Sequence, residues 1–294
     1  MDLYNDGRRY VSILSDYSFK VTFGNEADTK FLRKALQALI DSPVAIRDVH
    51  FLQNEIPALT RDSRSGVYDL ACTDEQGNTF IVEMQLGAYP AFIQRMKFYA
   101  LYRLNTLIRK GEYRFENLPK IYCIGILAVS VLPHVLDYHN IATLKNEKGE
   151  LIDDQMTFVT VELDKFKKEL PGIHSDLDKL LYTMKTVDTI TEPTQYPPFW
   201  TEEWLQTAIR ELDTRAMTPE QRMAYEMTLA ANAVAVYNEQ KKIREAEERR
   251  EKEVKTETVR NALLRGLNES LVADIAGVSV EFVRNVQQKL ATDK

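Results

Sequence analysis

Two acids stand in the arms of one short alternating stretch, Val67–Leu86, "VYDLACTDEQGNTFIVEMQL". β-Branched and aromatic residues fill Val67–Thr73 and Thr79–Leu86, and the polar DEQGN between them, with Gly77 able to take a positive φ, reads as a hairpin turn. Side chains alternate along a strand, so Val67, Asp69, Ala71 and Thr73 are expected on one face and Tyr68, Leu70 and Cys72 on the other. In the second arm Ile81, Glu83 and Gln85 share a face. A turn centred on Gln76 sets Ala71 against Ile81, Asp69 against Glu83 and Val67 against Gln85. Directly opposed residues have Cβ atoms roughly 4.5–5.5 Å apart, where like charges destabilise a sheet. A positive group is therefore expected between the acids. Two carboxylates flanked by an amide suit a hard cation such as Mg²⁺, which takes one or two carboxylates and keeps several waters. Two readings compete with this one. On a solvent-facing sheet the acids would merely repel weakly, and a slip of one residue in register would put them on opposite faces.

The rest of the chain must position that pair. With 294 residues, 44% hydrophobic and 28% charged, it can bury a main domain and a smaller module. A net charge of −6 gives no global basic surface, so contact with nucleic acid must come from local patches or from metal ions. The opening MDLYNDGRRYVSILSDYSF lacks the apolar run of a signal peptide, and IYCIGILAVSVL is too short to span a membrane. A cytoplasmic protein with no membrane partner is expected. Cys72 and Cys123 each fall in an apolar, strand-like segment and read as buried free thiols. His50, His134, His139 and His174 show no spacing that places two zinc ligands on one face.

In SDYSFKVTFGNEADTKFLRKALQALID, apolar residues at Phe31, Ala35, Leu36, Leu39 and Ile40 make the first long helix, stopped at Ser42-Pro43, with Lys20 ahead of it. AIRDVHFLQNE reads as a strand. A polar loop, the hairpin and a second helix over AYPAFIQRMKFYALYRLNTLIRKGEY follow, the helix bounded by Pro90 and Gly111. LPKIYCIGILAVSVL has the near-continuous apolar character of a strand buried on both faces. NEKGE then turns a further hairpin, and GIHSDLDKLLYTMKTV closes the domain as a helix. This order predicts an α/β fold, a mixed sheet with helices on its faces.

The expected domain covers residues 1–190, and the proline-bearing stretch within 191–217 reads as a linker or wrapping segment. Residues 218–294 form an all-α extension. It opens with Thr218 as N-cap, Pro219 at the first helical position and Gln221 three residues after the cap. Its charged run reads as a solvated helix held by i,i+4 pairs. The end, ESLVADIAG, a Gly277-Val278-Ser279 turn and VEFVRNVQQKL, has helix-turn-helix patterning, suited equally to DNA contact and to packing or a homodimer through these helices.

SDYSFKVTFG at Ser15–Gly24, the Asp69 strand, VEMQ at Val82–Gln85 and FIQRMKFYALY at Phe92–Tyr102 resemble, in that order, the recombination-promoting nuclease and transposase family of the PD-(D/E)XK superfamily. The resemblance spans about Ser15 to Leu132 and implies a restriction-endonuclease-like core that hydrolyses DNA phosphodiesters with Mg²⁺ or another divalent cation. It places the metal on Asp69 and Glu83.

Tyr68 stands where the superfamily motif has Pro, which does no chemistry. Gln85 stands where it has Lys, and a neutral amide can hydrogen-bond but cannot supply charge. The family itself commonly carries Glu-x-Gln, so Gln85 stays in the catalytic set. Lys20 is expected to supply the missing charge, with Arg95 as its rival. Asp16, Glu26 and Glu55 are further candidate acids at the metal, each with an ordinary reading as a cap, a solvated residue or a strand end. Tyr99, one turn from Arg95, is expected in the core or behind the acids. Two functions follow: an active endonuclease linked to recombination or transposition, or a DNA-binding or regulatory protein on a nuclease scaffold that has lost turnover.

Overall fold

The computed structural model describes residues 9–56, 66–87, 89, 91–108 and 118–292. Pro90, Gly111 and most of the polar loop ahead of the hairpin lie outside that set.

A separate short helix precedes the one expected from Phe31 onwards. Ser15 caps α1 (Asp16–Phe23) by accepting from the Ser18 N–H, and Gly24 ends it by donating to the Lys20 carbonyl. A Cβ on Gly24 would sit 2.5 Å from that carbonyl oxygen, so the close ending needs glycine. The chain restarts as α2 (Lys30–Leu39), which buries Phe31, Leu32, Ala35, Leu36 and Leu39. Lys20 is therefore a helical residue of α1, not part of a segment preceding the first helix.

β1 (Val49–Phe51) and β2 (Glu55–Ile56) divide the single strand expected over AIRDVHFLQNE. The first arm of the hairpin divides as well. β3 (Gly66–Val67) pairs with β2, so Val67 faces Glu55 rather than Gln85. β4 (Leu70–Asp74) pairs with β1 on one side and with β5 (Thr79–Gln85) on the other. Ala71 stands opposite Ile81 as the turn geometry predicted, and Gly77 takes φ 84°.

The break falls at Tyr68-Asp69 and changes the alternation. Tyr68 packs in the same cluster as Ala71 and Ile81, whereas Leu70 and Cys72 belong to the opposite one. The expected grouping of Tyr68 with Leu70 and Cys72 is thus wrong. The Tyr68 N–H is drawn out of the hairpin to the Asn54 carbonyl, 2.8 Å away, and a bend of this kind resets the two-residue period.

β5 continues in parallel to β6 (Ile121–Leu127), and β6 to β8 (Leu151–Glu162), with β7 (His139–Lys145) antiparallel at the edge. The resulting six-stranded mixed sheet has the order β1-β4-β5-β6-β8-β7. β6 is buried on both faces: Ile124 and Ile126 meet one cluster, Ile121 and Cys123 the other. α3 (Phe92–Leu107) covers the second face with Phe92, Met96, Tyr99 and Ala100. On the first face lie α1, α2, α4 (Asp176–Thr186) and α5 (Glu203–Leu212). This is the α/β arrangement of a restriction-endonuclease-like core. Both cysteines are free and buried.

By its contacts the chain divides into two compact units, residues 1–232 and 233–294. Trp200, Trp204, Leu205 and Leu212 are buried in the main core, so the proline-bearing stretch and α5 belong to the first unit. The Thr214 N–H also donates to the Arg9 carbonyl at 2.9 Å.

α6 (Pro219–Leu264) holds Lys255 to Glu251 at 2.6 Å, an i,i+4 pair of the kind its charge pattern predicts. Within the second unit, the end of that helix packs Val259 and Ala262 against Val272 and Ala273 of α7 (Glu269–Ala276) and Val283 and Val286 of α8 (Val280–Thr292). Gly277, at φ 60°, closes α7 in the left-handed conformation that glycine adopts without strain. No helix among the described residues is long and apolar enough to cross a membrane.

Candidate active site

Glu83 sits near the end of β5 and turns towards α3. Its strand neighbour at this level is Gly125, where a Cβ would come within 2.5 Å of the Phe92 ring. The absent side chain lets the first turn of α3 press against the sheet, and Arg95, one turn later, reaches the acid. Arg95 Nη2 lies 3.0 Å from Glu83 Oε2 and donates to Gln85 Oε1 at 3.1 Å. The Tyr89 and Phe92 rings flank the guanidinium at 5.0 and 5.4 Å.

Asp69 occupies the bend just before β4, one step beyond the last ladder pair, Leu70 with Val82. There the two acids tie the strands together through side chains. The Asp69 N–H donates to Glu83 Oε1 at 3.2 Å, and the Met84 N–H donates to Asp69 Oδ2 at 2.7 Å. Asn54 fixes the bend, since its carbonyl takes the Tyr68 N–H and its amide donates to the Asp69 carbonyl at 3.3 Å. Sequence reasoning missed Asn54. The Asn-Glu at the strand end was its signal, a residue type that commonly bonds to nearby backbone at turns.

The electrostatics are unfavourable for two bare carboxylates. Burial, and then the charge of Asp69, push the Glu83 carboxyl up to about 8 against the opposing pull of Arg95 and the Asp69 N–H. Asp69 is also raised, first by burial, with the Met84 N–H, Arg95 and Lys20 lowering it and Asp16 raising it. The short Arg95–Glu83 contact suggests a settled ion pair, but one guanidinium shared with Gln85 does not offset desolvation plus a second acid.

The remaining candidates fall into place around this pair. Lys20, Glu26, Glu55 and Asp69 line one cleft of about 650 Å³ together with Asn54. Lys20 is exposed on α1, with its ammonium 2.8 Å from Asp16. Glu26 and Glu55 are exposed. Among the described residues no group of three or more His, Cys, Asp or Glu side chains gathers where one ion could be held, so neither these acids nor Asp16 joins the pair as a third ligand. Tyr99 stands behind the acids: its hydroxyl donates to the Val67 carbonyl at 3.3 Å and its ring packs edge-on against Tyr68 at 4.8 Å. Burial, followed by the Glu83 charge, pushes it up to about 12. It is a support for the site and no proton carrier at neutral pH.

The donor set fits a hard divalent cation. Two oxygen ligands are present, both hold protons more tightly than ordinary carboxylates, and a cation relieves that in the way a proton does. Among the described residues Asp69 Oδ2 accepts from the Met84 N–H and Oδ1 accepts no hydrogen bond.

Residues 13–246 match the model of a family described as PD-(D/E)XK nuclease family transposase. No curated protein and no solved structure matches the chain.

Proposed function

The chain belongs to the PD-(D/E)XK nuclease family transposases, and from that membership we propose a divalent-metal-dependent DNA endonuclease, acting in the cytoplasm in recombination or transposition. Nucleases of this superfamily generally use divalent metal ions, and the family implies a DNA substrate. The observation that carries the reading is the reciprocal Asp69–Glu83 pair, adjacent and raised in proton affinity, with Glu83 buried and Asp69 half-buried at the cleft.

Asp69 and Glu83 would hold the cation, which when bound supplies Lewis-acid polarisation of the phosphate and an acidified water. Everything else rests on the chain's own groups. Arg95 orients Glu83 and takes the Gln85 carbonyl oxygen, which leaves the Gln85 NH₂ as a donor. That donor can hold a phosphate oxygen or the attacking water in place but cannot remove a proton. Lys20 borders the same cleft as Asp69, and its long stem allows the ammonium to leave exposed Asp16 for a phosphate. Arg95 is held by two partners and two rings, so Lys20 is the cation with freedom to follow developing charge.

A second reading, a DNA-binding protein without turnover, draws on the Arg95–Glu83 contact, which partly neutralises the site without a metal. The C-terminal helices are proposed as the homodimer contact, and the helix-turn-helix-like end as an aid to DNA binding. Plasmid nicking with and without Mg²⁺, run beside Asp69→Ala and Glu83→Ala, separates the two readings. The enzyme reading requires metal-dependent nicking that both variants abolish, and wild-type nicking by both would remove these acids from the mechanism.

A further inference from the structure

Behind the catalytic cleft lies a second cavity, of about 390 Å³, on the face that α3 covers. Gln53, Tyr68, Thr79, Tyr102, Arg103 and Thr106 line it. Leu52, Gln53 and Glu55 border both cavities, so they are neighbours across one short segment.

Arg103 is the unexplained group. Its Nε donates to Thr79 Oγ1 and its Nη1 to Thr106 Oγ1, both at 3.3 Å, and it makes no ion pair among the described residues. Burial lowers its proton affinity. A guanidinium held by two neutral hydroxyls in partial burial has lost water without gaining an anion, which is costly unless a ligand supplies one. Beside it, Tyr68 is 5% exposed and its hydroxyl has no hydrogen-bond partner among the described residues. Tyr102 adds a second ring to the wall, and Gln53 an amide with donor and acceptor ends.

A guanidinium for phosphate, aromatic rings for a flat heterocycle and an amide for its edge are together the recognition set of a nucleotide. The volume lies in the range of cavities that take small organic ligands. Resting on the nuclease reading, we propose that this cavity is a nucleotide subsite, which receives one unpaired nucleotide of the DNA next to the phosphate at Asp69 and Glu83. The enzyme would then favour substrates whose bases leave the stack easily, such as single-stranded or mismatched segments, since the cost of extrusion is least there.

The test is calorimetric titration of the full chain, in metal-free buffer, with thymidine 5′-monophosphate, inorganic phosphate and thymidine. Thymidine monophosphate is expected to bind saturably, at least tenfold tighter than either fragment. Arg103→Met should weaken it at least tenfold and Tyr102→Leu at least threefold. Equal affinity for phosphate and the nucleotide would leave an anion site in place of a nucleotide site. No saturation, or unchanged affinity in Arg103→Met, would overturn the proposal. Should Arg103→Met not fold, unchanged affinity in Tyr102→Leu, a substitution at a partly exposed residue, overturns it alone. Nucleotide binding through Arg103 in a protein that never nicks DNA would fail the nuclease reading only. Nicking without nucleotide binding would fail the subsite only.

Discussion

Replacing Glu83 by Gln should stabilise the metal-free protein at neutral pH. The carboxyl has an ordinary value of 4.5 and is pushed up to about 8 in the fold. Between those values the folded state binds a proton that the unfolded state has released, so stability falls as pH rises through the window. Gln resembles the protonated acid in shape and charge and has no such slope. At 1.4 kcal/mol per pH unit, the wild type loses about 3 kcal/mol relative to the variant between pH 4.5 and 7, and about 5 kcal/mol by pH 8 and above.

The opposite view treats Glu83 as the ionised half of a buried pair with Arg95, 3.0 Å away. Removing one partner of such a pair costs about 3–5 kcal/mol, so the two views differ in sign as well as size. Urea denaturation of both proteins in EDTA at pH 5, 7 and 9 decides between them. The expected result is near-equal stability at pH 5 and a variant more stable by about 3 kcal/mol at pH 7. Added Mg²⁺ should then raise the wild type by about 2.7 kcal/mol at a hundredfold excess over its dissociation constant, and leave Glu83→Gln where it was. A variant less stable than wild type at pH 7 would refute the strained-pair argument, and with it the main physical ground for a cation at this site.

Two further outcomes concern the machinery around the pair. Lys20→Met should lower single-turnover cleavage by about 10²-fold with little change in DNA affinity, the size expected for one group that stabilises transition-state charge. Lys20→Arg should rescue poorly, and unchanged rates in Lys20→Met beside a loss in Arg95→Met would transfer the role to Arg95. A fragment ending at residue 232 should keep a cooperative melt and metal-dependent nicking while binding DNA more weakly. One ending at Trp200 should fail to fold because it lacks Trp204, Leu205 and Leu212 of the main core, and a folded, active 1–200 fragment would show that α5 is dispensable.

What could be read from the residues depended on how local its cause was. The hairpin turn and the Ala71–Ile81 register are local, set by Gly77 and a two-residue period, and both hold. The bend at Asp69 has no Gly or Pro to announce it. It is imposed from outside the hairpin, by Asn54 and by β2 drawing Val67 away, and it places Asp69 beside the cleft of Lys20. The additional helix α1 was legible, since Ser15 is a capping residue and Gly24 a helix-ending one, but the apolar stripe from Phe31 onwards dominated the reading. That reading left Lys20 ahead of the first helix, whereas α1 holds its Cα fixed and leaves only the stem to move. Arg95 depends on the least local cause of all. Its reach to Glu83 requires the parallel pairing that brings Gly125 beside that acid and lets Phe92 sit where a side chain would have been. The acids therefore come from a pattern within about twenty residues of sequence, while the group that tunes them comes from a contact between strands with a helix between them. A sequence with the same two acids and a larger residue at position 125 would keep the motif and lose the Arg95 contact.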